Sequence, residues 1–263
     1  MKKINIIVAT HKKYKMPRDK MYVPVHVGSE GKEKIKGYQR DNEGDNISNK
    51  NPYYCELTAM YWAWKNLKSE YIGLAHYRRH FTCAKRIPKE EEKKFEKLLT
   101  KEQIEDILKD TDIVLPKKRN YYIDTVYEHY AHTLHVETLD ETKKILEEMQ
   151  PDYLEIFEKN MKKTSAHMFN MFIMRKEYFD QYCEWLFSIL FELERRINPS
   201  QYDSFHARYL GRISELLLDV WIDKNNLKYK EIRVVDIQNV NWIKKGMAFL
   251  KAKFVGKKYN KSF

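Results

Sequence analysis

The stretch YIGLAHYRRH, residues 71–80, decides the fold class, because a short buried strand ends there in a run of cationic and aromatic side chains. Its apolar part, residues 71–75, is typical of a strand covered on both faces. The same pattern occurs at residues 4–9, where INIIVA is followed by THK at residues 10–12. Ligands of open α/β sheets bind beyond the carboxyl ends of the strands. We therefore expect a binding site where these two strands end.

Apolar patterning along the rest of the chain alternates between strands and helices. Further strands are predicted at residues 112–116, 169–174 and 228–237. Helical spacing is predicted over residues 53–64, 88–110, 121–162 with a break at Pro151, 177–197 and 210–222. Pro52 supports a helix start there, and Glu56 lies in its opening turns. This alternation predicts an α/β sheet in one domain of residues 1–240.

Composition limits the classes of protein that remain. The 263 residues carry 49 basic against 38 acidic side chains, a net charge of +11. Seven of the lysines lie within residues 241–263, which hold no acidic residue, so most of the excess positive charge lies at the C-terminal end. Because a nucleic-acid-binding protein would carry this charge on a folded face, we expect no nucleic-acid partner. The three cysteines form no Cys-x-x-Cys pair, which is typical of reduced thiols in a cytoplasmic protein.

The basic segment of residues 241–263 has an amphipathic pattern. Ile243, Met247, Leu250 and Phe254 recur at helical intervals between lysines. Such a segment suits the surface of an anionic membrane, so we expect a cytoplasmic protein peripheral on the inner face of the cell membrane. A disordered solubilising tail is the alternative. No apolar run approaches the ~20 residues of a membrane-spanning helix, and the run after Met1 is too short for a signal peptide.

Four segments carry a resemblance in combination. They are VATHK at 8–12; GDNIS at 44–48 with NPYYCELTA at 51–59 and YWAWKN at 61–66; YIGL at 71–74 with HYRR at 76–79; and NMFIM at 170–174 with the later Ser214 and Glu215. Over residues 4–225 the chain resembles a family of bacterial capsular and exopolysaccharide glycosyltransferases that was catalogued as a domain of unknown function.

This resemblance implies a fold and an activity. The fold would be GT-A-like, a Rossmann-type mixed sheet flanked by helices, with a helical C-terminal part. The activity would be transfer of a hexosyl unit, galactofuranosyl or galactosyl, from a UDP-sugar to a saccharide or lipid-linked saccharide acceptor. The product would be a growing capsular or exopolysaccharide.

The expected donor site gathers residues from three polar segments. Arginine suits a diphosphate because its planar fork pairs with phosphate oxygens. A solvated strand end is the alternative for Arg78 and Arg79, and a turn or helix cap is the alternative for Asp45 and Asn46. The donor-binding candidates are Thr10, His11, Lys12, Asp41, Asp45, Asn46, His76, Tyr77, Arg78 and Arg79.

Metal dependence stays open from the sequence. Many GT-A enzymes hold a divalent cation through an Asp-x-Asp motif, and the one match here, residues 110–112, precedes its strand and is interpreted as unrelated to the donor. One hypothesis is metal-independent transfer, in which cationic side chains, with His76, neutralise the diphosphate. The other is Mn²⁺ or Mg²⁺ held by Asp41 or Asp45 with His76, since these ions prefer oxygen ligands.

An inverting reaction needs a carboxylate that takes the proton of the acceptor hydroxyl. The candidates are Glu215, Asp203 and Glu128, although each could instead cap or flank a helix. His129, His132 and Asn170 are candidates for acceptor contacts. The histidines at 129, 132 and 135 imitate a metal face, but their spacing drifts around a helix. A non-catalytic nucleic-acid-binding protein and a degenerate transferase-like scaffold remain the alternative functions.

Overall fold

The computed structural model describes residues 2–238, so the predicted basic tail at 241–263 lies outside the described residues. These residues form two compact units. Unit 1 comprises residues 2–117, 169–185 and 227–238, and unit 2 comprises residues 118–168 and 186–226. The predicted domain of residues 1–240 therefore contains two compact units.

The elements alternate along the chain as the sequence predicts. The strands are β1 (Ile4–Thr10), β2 (Tyr22–His26), β3 (Gln39–Arg40), β4 (Tyr71–His76), β5 (Arg79–Thr82), β6 (Ile113–Pro116), β7 (Arg119–Asn120), β8 (Ser165–Ala166), β9 (Phe172–Arg175) and β10 (Lys230–Asp236). The helices are α1 (Asn51–Tyr54), α2 (Leu57–Asn66), α3 (Glu91–Phe95), α4 (Lys101–Ile107), α5 (Val126–Thr133), α6 (Glu137–Met149), α7 (Leu154–Met161), α8 (Lys176–Arg196) and α9 (Tyr209–Lys224).

Unit 1 is built on a mixed sheet, which confirms the predicted α/β class. Its strands β3, β2, β1 and β4 are adjacent in that order and parallel. The antiparallel β9 pairs with both β4 and β6, and β10 joins β6 to β5. Thr10 lies opposite His26, and Ala9 lies opposite His76. The carboxyl ends of β1, β2 and β4 therefore meet at one edge of the sheet.

Burial of apolar strand residues holds this sheet together. Ile6, Val8, Phe81 and Ile173 are fully buried in one cluster. Gly73 lies at the closest approach of the neighbouring strands, since a Cβ there would stand 2.9 Å from Cγ1 of Ile173. A larger side chain at this position would force β1 and β9 away from β4.

The structure departs from the predicted elements at several places. Strands β2, β3, β5, β7 and β8 were not predicted, and Arg79 begins β5 instead of lying in a loop. The helix predicted over 53–64 is split because Cys55 takes φ 53° and ψ −127°. Strand β9 begins three residues after the predicted start, since Phe169 and Asn170 have φ of 78° and 51°.

Unit 2 is mainly helical. Helix α9 packs against α6 and α7, and β7 pairs with β8 in a two-stranded sheet. Thr125 and Glu128 form a capping box at the start of α5, which explains why that helix begins there. Within residues 2–238, no helix is both long enough and apolar enough to cross a bilayer.

Candidate functional site

Backbone hydrogen bonds join the end of β1 to the residues that directly follow β4 and β2. The Tyr77 N–H donates to the Ala9 carbonyl (3.3 Å), and the Val27 N–H donates to the Thr10 carbonyl (2.9 Å). The buried Thr10 hydroxyl donates to the carbonyl of Lys12 (2.7 Å), which turns the chain after β1. Thr10 thus shapes the loop with its side chain, and His11, Lys12 and Lys13 after it are exposed.

A cluster of aromatic and cationic side chains forms where these strands end. The rings of Tyr14 and Tyr77 stack at 3.9 Å, and His11 meets Tyr77 edge-on at 5.4 Å. Lys12 Nζ lies 5.3 Å from the Tyr14 ring, and the Arg78 guanidinium lies 5.3 Å from the Tyr77 ring. We call these five residues the basic aromatic cluster. The sequence indicated all of them except Tyr14, which stands in a polar segment without any motif.

The two predicted arginines differ in how their charge is balanced. Arg79 Nε lies 2.9 Å from Asp236 Oδ1, an ion pair without hydrogen-bond alignment, and its guanidinium stacks 4.2 Å from the Phe169 ring. Within the described residues Arg78 forms no ion pair. The charge available for an anion at this edge is therefore that of Arg78 together with Lys12, whereas the charge of Arg79 is balanced by Asp236 of β10.

His76, the last residue of β4, is a buried side chain for which a positive charge is disfavoured. Burial lowers its pKa, and Arg79 and Arg78 lower it further, while Glu56 acts in the opposite direction. Its Nε2–H donates to the Phe169 carbonyl at 2.5 Å. A lowered pKa disfavours a positive charge on His76, and its ring holds the Phe169 backbone; a contribution of His76 to diphosphate binding stays a prediction.

A carboxylate that the sequence did not single out for chemistry lies beside His76. Glu56 Oε1 accepts a 2.7 Å hydrogen bond from the Asn170 amide and stands 3.9 Å from His76 Nε2. Its side chain is 13% exposed. Cys55 precedes it with a positive φ, as do Phe169 and Asn170 on the other side of the contact. Backbone strain of this kind is concentrated at functional sites.

Asp41 has a structural environment. Its fully buried carboxylate accepts hydrogen bonds from the N–H groups of Gly28 (2.7 Å) and Ser29 (3.0 Å). The hydroxyls of Ser29, Ser48 and Thr58 donate to it as well. Five donors saturate the two oxygens, so Asp41 anchors the loops after β2 and β3 and leaves no lone pair for a metal ion.

Asp45 and Asn46 lie in a turn against α2. Asn46 bonds the Gly44 carbonyl and the Ser48 N–H, which is the turn role that the sequence left as an alternative. The exposed Asp45 accepts from the Tyr61 hydroxyl at 3.3 Å. Tyr61 lies five residues after Glu56, about 7.5 Å away along the axis of α2 at the helical rise. Asp45 therefore lies beside Tyr61 of α2, and it makes no contact with the five residues of the basic aromatic cluster.

The described residues offer no ready metal site. No group of three or more His, Cys, Asp or Glu side chains among residues 2–238 could hold an ion. In the Asp-x-Asp match, Asp112 Oδ1 lies 2.8 Å from Arg175 and accepts from the Tyr71 hydroxyl. It precedes β6 at the amino end of that strand. The predicted position of the motif at the amino end of its strand is confirmed, and its lack of a role in donor binding stays an interpretation.

The remaining carboxylate candidates lie in unit 2. Glu128 accepts from the Thr125 N–H at 2.8 Å within the capping box. Asp203 accepts from the N–H groups of Phe205 and His206, and the His206 ring lowers the pKa of Asp203 to about 2. Glu128 is thus engaged at the start of α5, and the lowered pKa makes Asp203 a weaker base than a free aspartate. Glu215 lies half-buried in α9.

The acceptor candidates divide between the two units. In unit 2, His129 stacks on Tyr121 at 4.1 Å, and His132 Nδ1 lies 3.0 Å from the buried Asp124. Their different partners agree with a packed helix and not with a common metal ion. Asn170 belongs to unit 1, where it contacts Glu56.

Fold and site together define an α/β protein whose candidate site lies at the carboxyl edge of its parallel strands. The chain belongs to the family described as "Domain of unknown function (DUF4422)", which matches residues 5–226. This extent agrees with the resemblance of residues 4–225. The match ends before β10, the strand that carries Asp236.

The fold is similar to that of a solved glycosyltransferase. The apo structure of WbbM, a bifunctional glycosyltransferase, matches 90% of this chain with a TM-score of 0.82 and 34% sequence identity. The match covers 46% of the WbbM chain, so the present chain spans about half its length. No curated protein sequence matches the chain significantly.

Proposed function

We propose that the chain is a glycosyltransferase of GT-A-like architecture that uses a nucleotide-diphosphate sugar. The observation that carries the proposal is the basic aromatic cluster at the carboxyl edge of β1 and β4. A sheet edge of this kind is where α/β proteins bind nucleotides. The likeness to WbbM supports glycosyl transfer as the reaction.

The cluster supplies the two kinds of contact that a uridine diphosphate needs. Lys12 and Arg78 provide positive charge for the phosphates, and the guanidinium of Arg78 can bond two phosphate oxygens at once. The Tyr14 and Tyr77 rings provide a flat surface on which a nucleobase can stack. When the bond to the sugar breaks, negative charge grows on the diphosphate, and cations already in place stabilise it.

We extend the proposal to the substrates that the family resemblance implies. The donor would be UDP-galactofuranose or UDP-galactose, transferred with inversion. The acceptor would be a saccharide of a growing capsular or exopolysaccharide, lipid-linked on the cytoplasmic face. Residues 241–263 would then hold the enzyme on the anionic membrane surface that carries this acceptor.

Calorimetric titration with UDP, UMP and uridine tests the donor site. We expect Arg78→Ala to weaken UDP binding about 10- to 100-fold, the value of a hydrogen bond between charged groups, and to leave uridine binding unchanged. Lys85→Ala is the matched control, since this exposed lysine has the same charge and lies outside the cluster. Equal UDP affinity of Arg78→Ala and the unaltered chain would contradict the proposed diphosphate site.

The alternatives give different results in the same set of measurements. Salt-sensitive binding of DNA or RNA without any response to UDP would favour the nucleic-acid-binding protein. UDP binding without sugar transfer or donor hydrolysis from any UDP-hexose would favour the degenerate scaffold.

A further inference from the structure

We propose that Glu56 is the catalytic base, the carboxylate that takes the proton of the hydroxyl attacking the donor sugar, and that Asn170 positions it. The inference rests on the proposed glycosyl transfer and names a residue for its chemical step. Of the carboxylates inferred from the sequence for this role, Glu128 lies in a helix capping box and Asp203 is hydrogen-bonded to His206.

The position of Glu56 relates it to the donor site. It lies 3.9 Å from His76, the last residue of β4, and the next two residues along the chain are Tyr77 and Arg78 of the basic aromatic cluster. Glu56 thus stands at the same sheet edge as the cations proposed for the diphosphate. A base must lie near the anomeric carbon, whose leaving group is that diphosphate.

The bonding of Glu56 leaves one oxygen for a proton. Oε1 accepts from the Asn170 amide, and Oε2 has no hydrogen-bond partner among residues 2–238. His76 at the end of β4, and Arg78 and Arg79 after it, are the titratable and charged groups near this contact. Burial lowers the pKa of His76, which disfavours its cation, and Arg79 is paired with Asp236. This differs from Asp41, whose lone pairs are saturated.

A chain of contacts holds Asn170 in place. His76 Nε2–H binds the Phe169 carbonyl, and the Arg79 guanidinium stacks on the Phe169 ring. These contacts hold Phe169 and Asn170 in left-handed backbone conformations that a non-glycine residue rarely adopts. The resulting turn aims the Asn170 amide at Glu56. Several side chains therefore hold a strained turn, and this turn places the Asn170 amide where it donates a hydrogen bond to the Glu56 carboxylate.

The acceptor oxygen forms a bond to the anomeric carbon while its proton passes to Glu56 Oε2. The bond between the anomeric carbon and the phosphate oxygen breaks, and its electron pair leaves with the nucleoside diphosphate. Glu56 then releases the proton to solvent. With water in place of the acceptor, the same step hydrolyses the donor and gives free sugar and UDP.

The test compares Glu56→Gln with Glu56→Asp and with Glu102→Gln, an exposed carboxylate of α4 in the same unit. UDP release from UDP-galactose and UDP-galactofuranose gives the turnover, and calorimetry gives the UDP affinity. We expect Glu56→Gln to lower turnover about 10²- to 10⁴-fold, with UDP affinity within about twofold of the unaltered chain. Its residual rate should lose the acidic limb of the pH profile, Glu56→Asp should keep that limb at reduced turnover, and Glu102→Gln should be unaffected.

Three results would overturn the inference. Turnover of Glu56→Gln within about threefold of normal would remove Glu56 from the reaction and leave the proposed function intact. A large loss of UDP affinity in Glu56→Asp, with thermal unfolding unchanged, would make Glu56 a donor ligand. If the unaltered chain neither binds UDP nor releases it from either donor, the proposed function and the inference fail together.

Discussion

Two replacements of Asn170 distinguish the effect of its hydrogen bond to Glu56 from the effect of its strained backbone conformation. The Asn170 amide donates to Glu56 at 2.7 Å, and its backbone has φ 51°. Asn170→Gly and Asn170→Ala both remove the amide. Glycine adopts a left-handed backbone at no steric cost, whereas alanine does not. Both variants therefore lose the hydrogen bond to Glu56, but only alanine is strained by the left-handed backbone.

The magnitudes follow from these two terms. A hydrogen bond to a charged group contributes about 1.5–3 kcal/mol, and both variants lose it. Alanine adds about 1–2 kcal/mol for the left-handed backbone. The flexibility of glycine in the unfolded chain offsets part of this, at about 0.5–1 kcal/mol. We therefore expect Asn170→Ala to unfold more easily than Asn170→Gly by about 1 kcal/mol, with equal loss of turnover in both.

Urea denaturation and UDP release from UDP-galactose measure the two quantities. Asn226 supplies the matched control, because it is an exposed asparagine of unit 2 with φ 49°. Asn226→Gly and Asn226→Ala should differ in stability as the Asn170 variants do, with no change in turnover. Normal turnover of Asn170→Gly would refute the positioning of Glu56 by this amide. Equal stabilities at 170, together with unequal ones at 226, would refute the strain.

Two further predictions concern the stability of unit 1. Asp41→Ala removes the acceptor of buried donors on the loops after β2 and β3. We expect urea denaturation to show a free energy of unfolding lower by about 3–5 kcal/mol. A decrease below about 1 kcal/mol would contradict the anchoring role. Burial lowers the pKa of His80 to about 4, and neither ring nitrogen has a well-formed hydrogen bond. The folded chain therefore takes up fewer protons than the unfolded chain below the ordinary pKa of 6.5, and stability should fall by about 2 kcal/mol between pH 7.5 and 5. His80→Leu should remove this component of the pH dependence, and the same change at the exposed His11 should not; an unchanged slope in His80→Leu would contradict the buried neutral state.

The sequence predicts those parts of the fold that depend on local patterning. Strands β1 and β4 are continuous apolar runs, and their bounds differ from the prediction by one residue. Strand β2 contains Pro24 within a polar region, and β5 is the polar stretch RHFT, so neither has a strand pattern of its own. Their pairing with β1 and β10 is long-range, and periodicity within one segment does not record it.

The residues of the candidate site also differ in how far the sequence predicts them. Lys12 and Arg78 directly follow apolar strands, so the rule for sheet edges finds them. Glu56 gains its environment from Asn170, 114 residues away, through a turn that no glycine marks. Asp41 differs again, since the sequence shows an aspartate in a polar loop but not the five donors that surround its carboxylate in the fold.

The binding of UDP without a divalent ion tests the proposed donor site most directly. Calorimetric titration in EDTA and in Mn²⁺, with uridine as reference, compares the diphosphate contribution under both conditions. If Lys12 and Arg78 hold the diphosphate, UDP should bind in EDTA within about threefold of its affinity with Mn²⁺ and much more tightly than uridine, and the preference should shrink as salt is raised. Binding of UDP that requires Mn²⁺, or that equals binding of uridine in EDTA, would contradict a diphosphate site built from these cationic side chains.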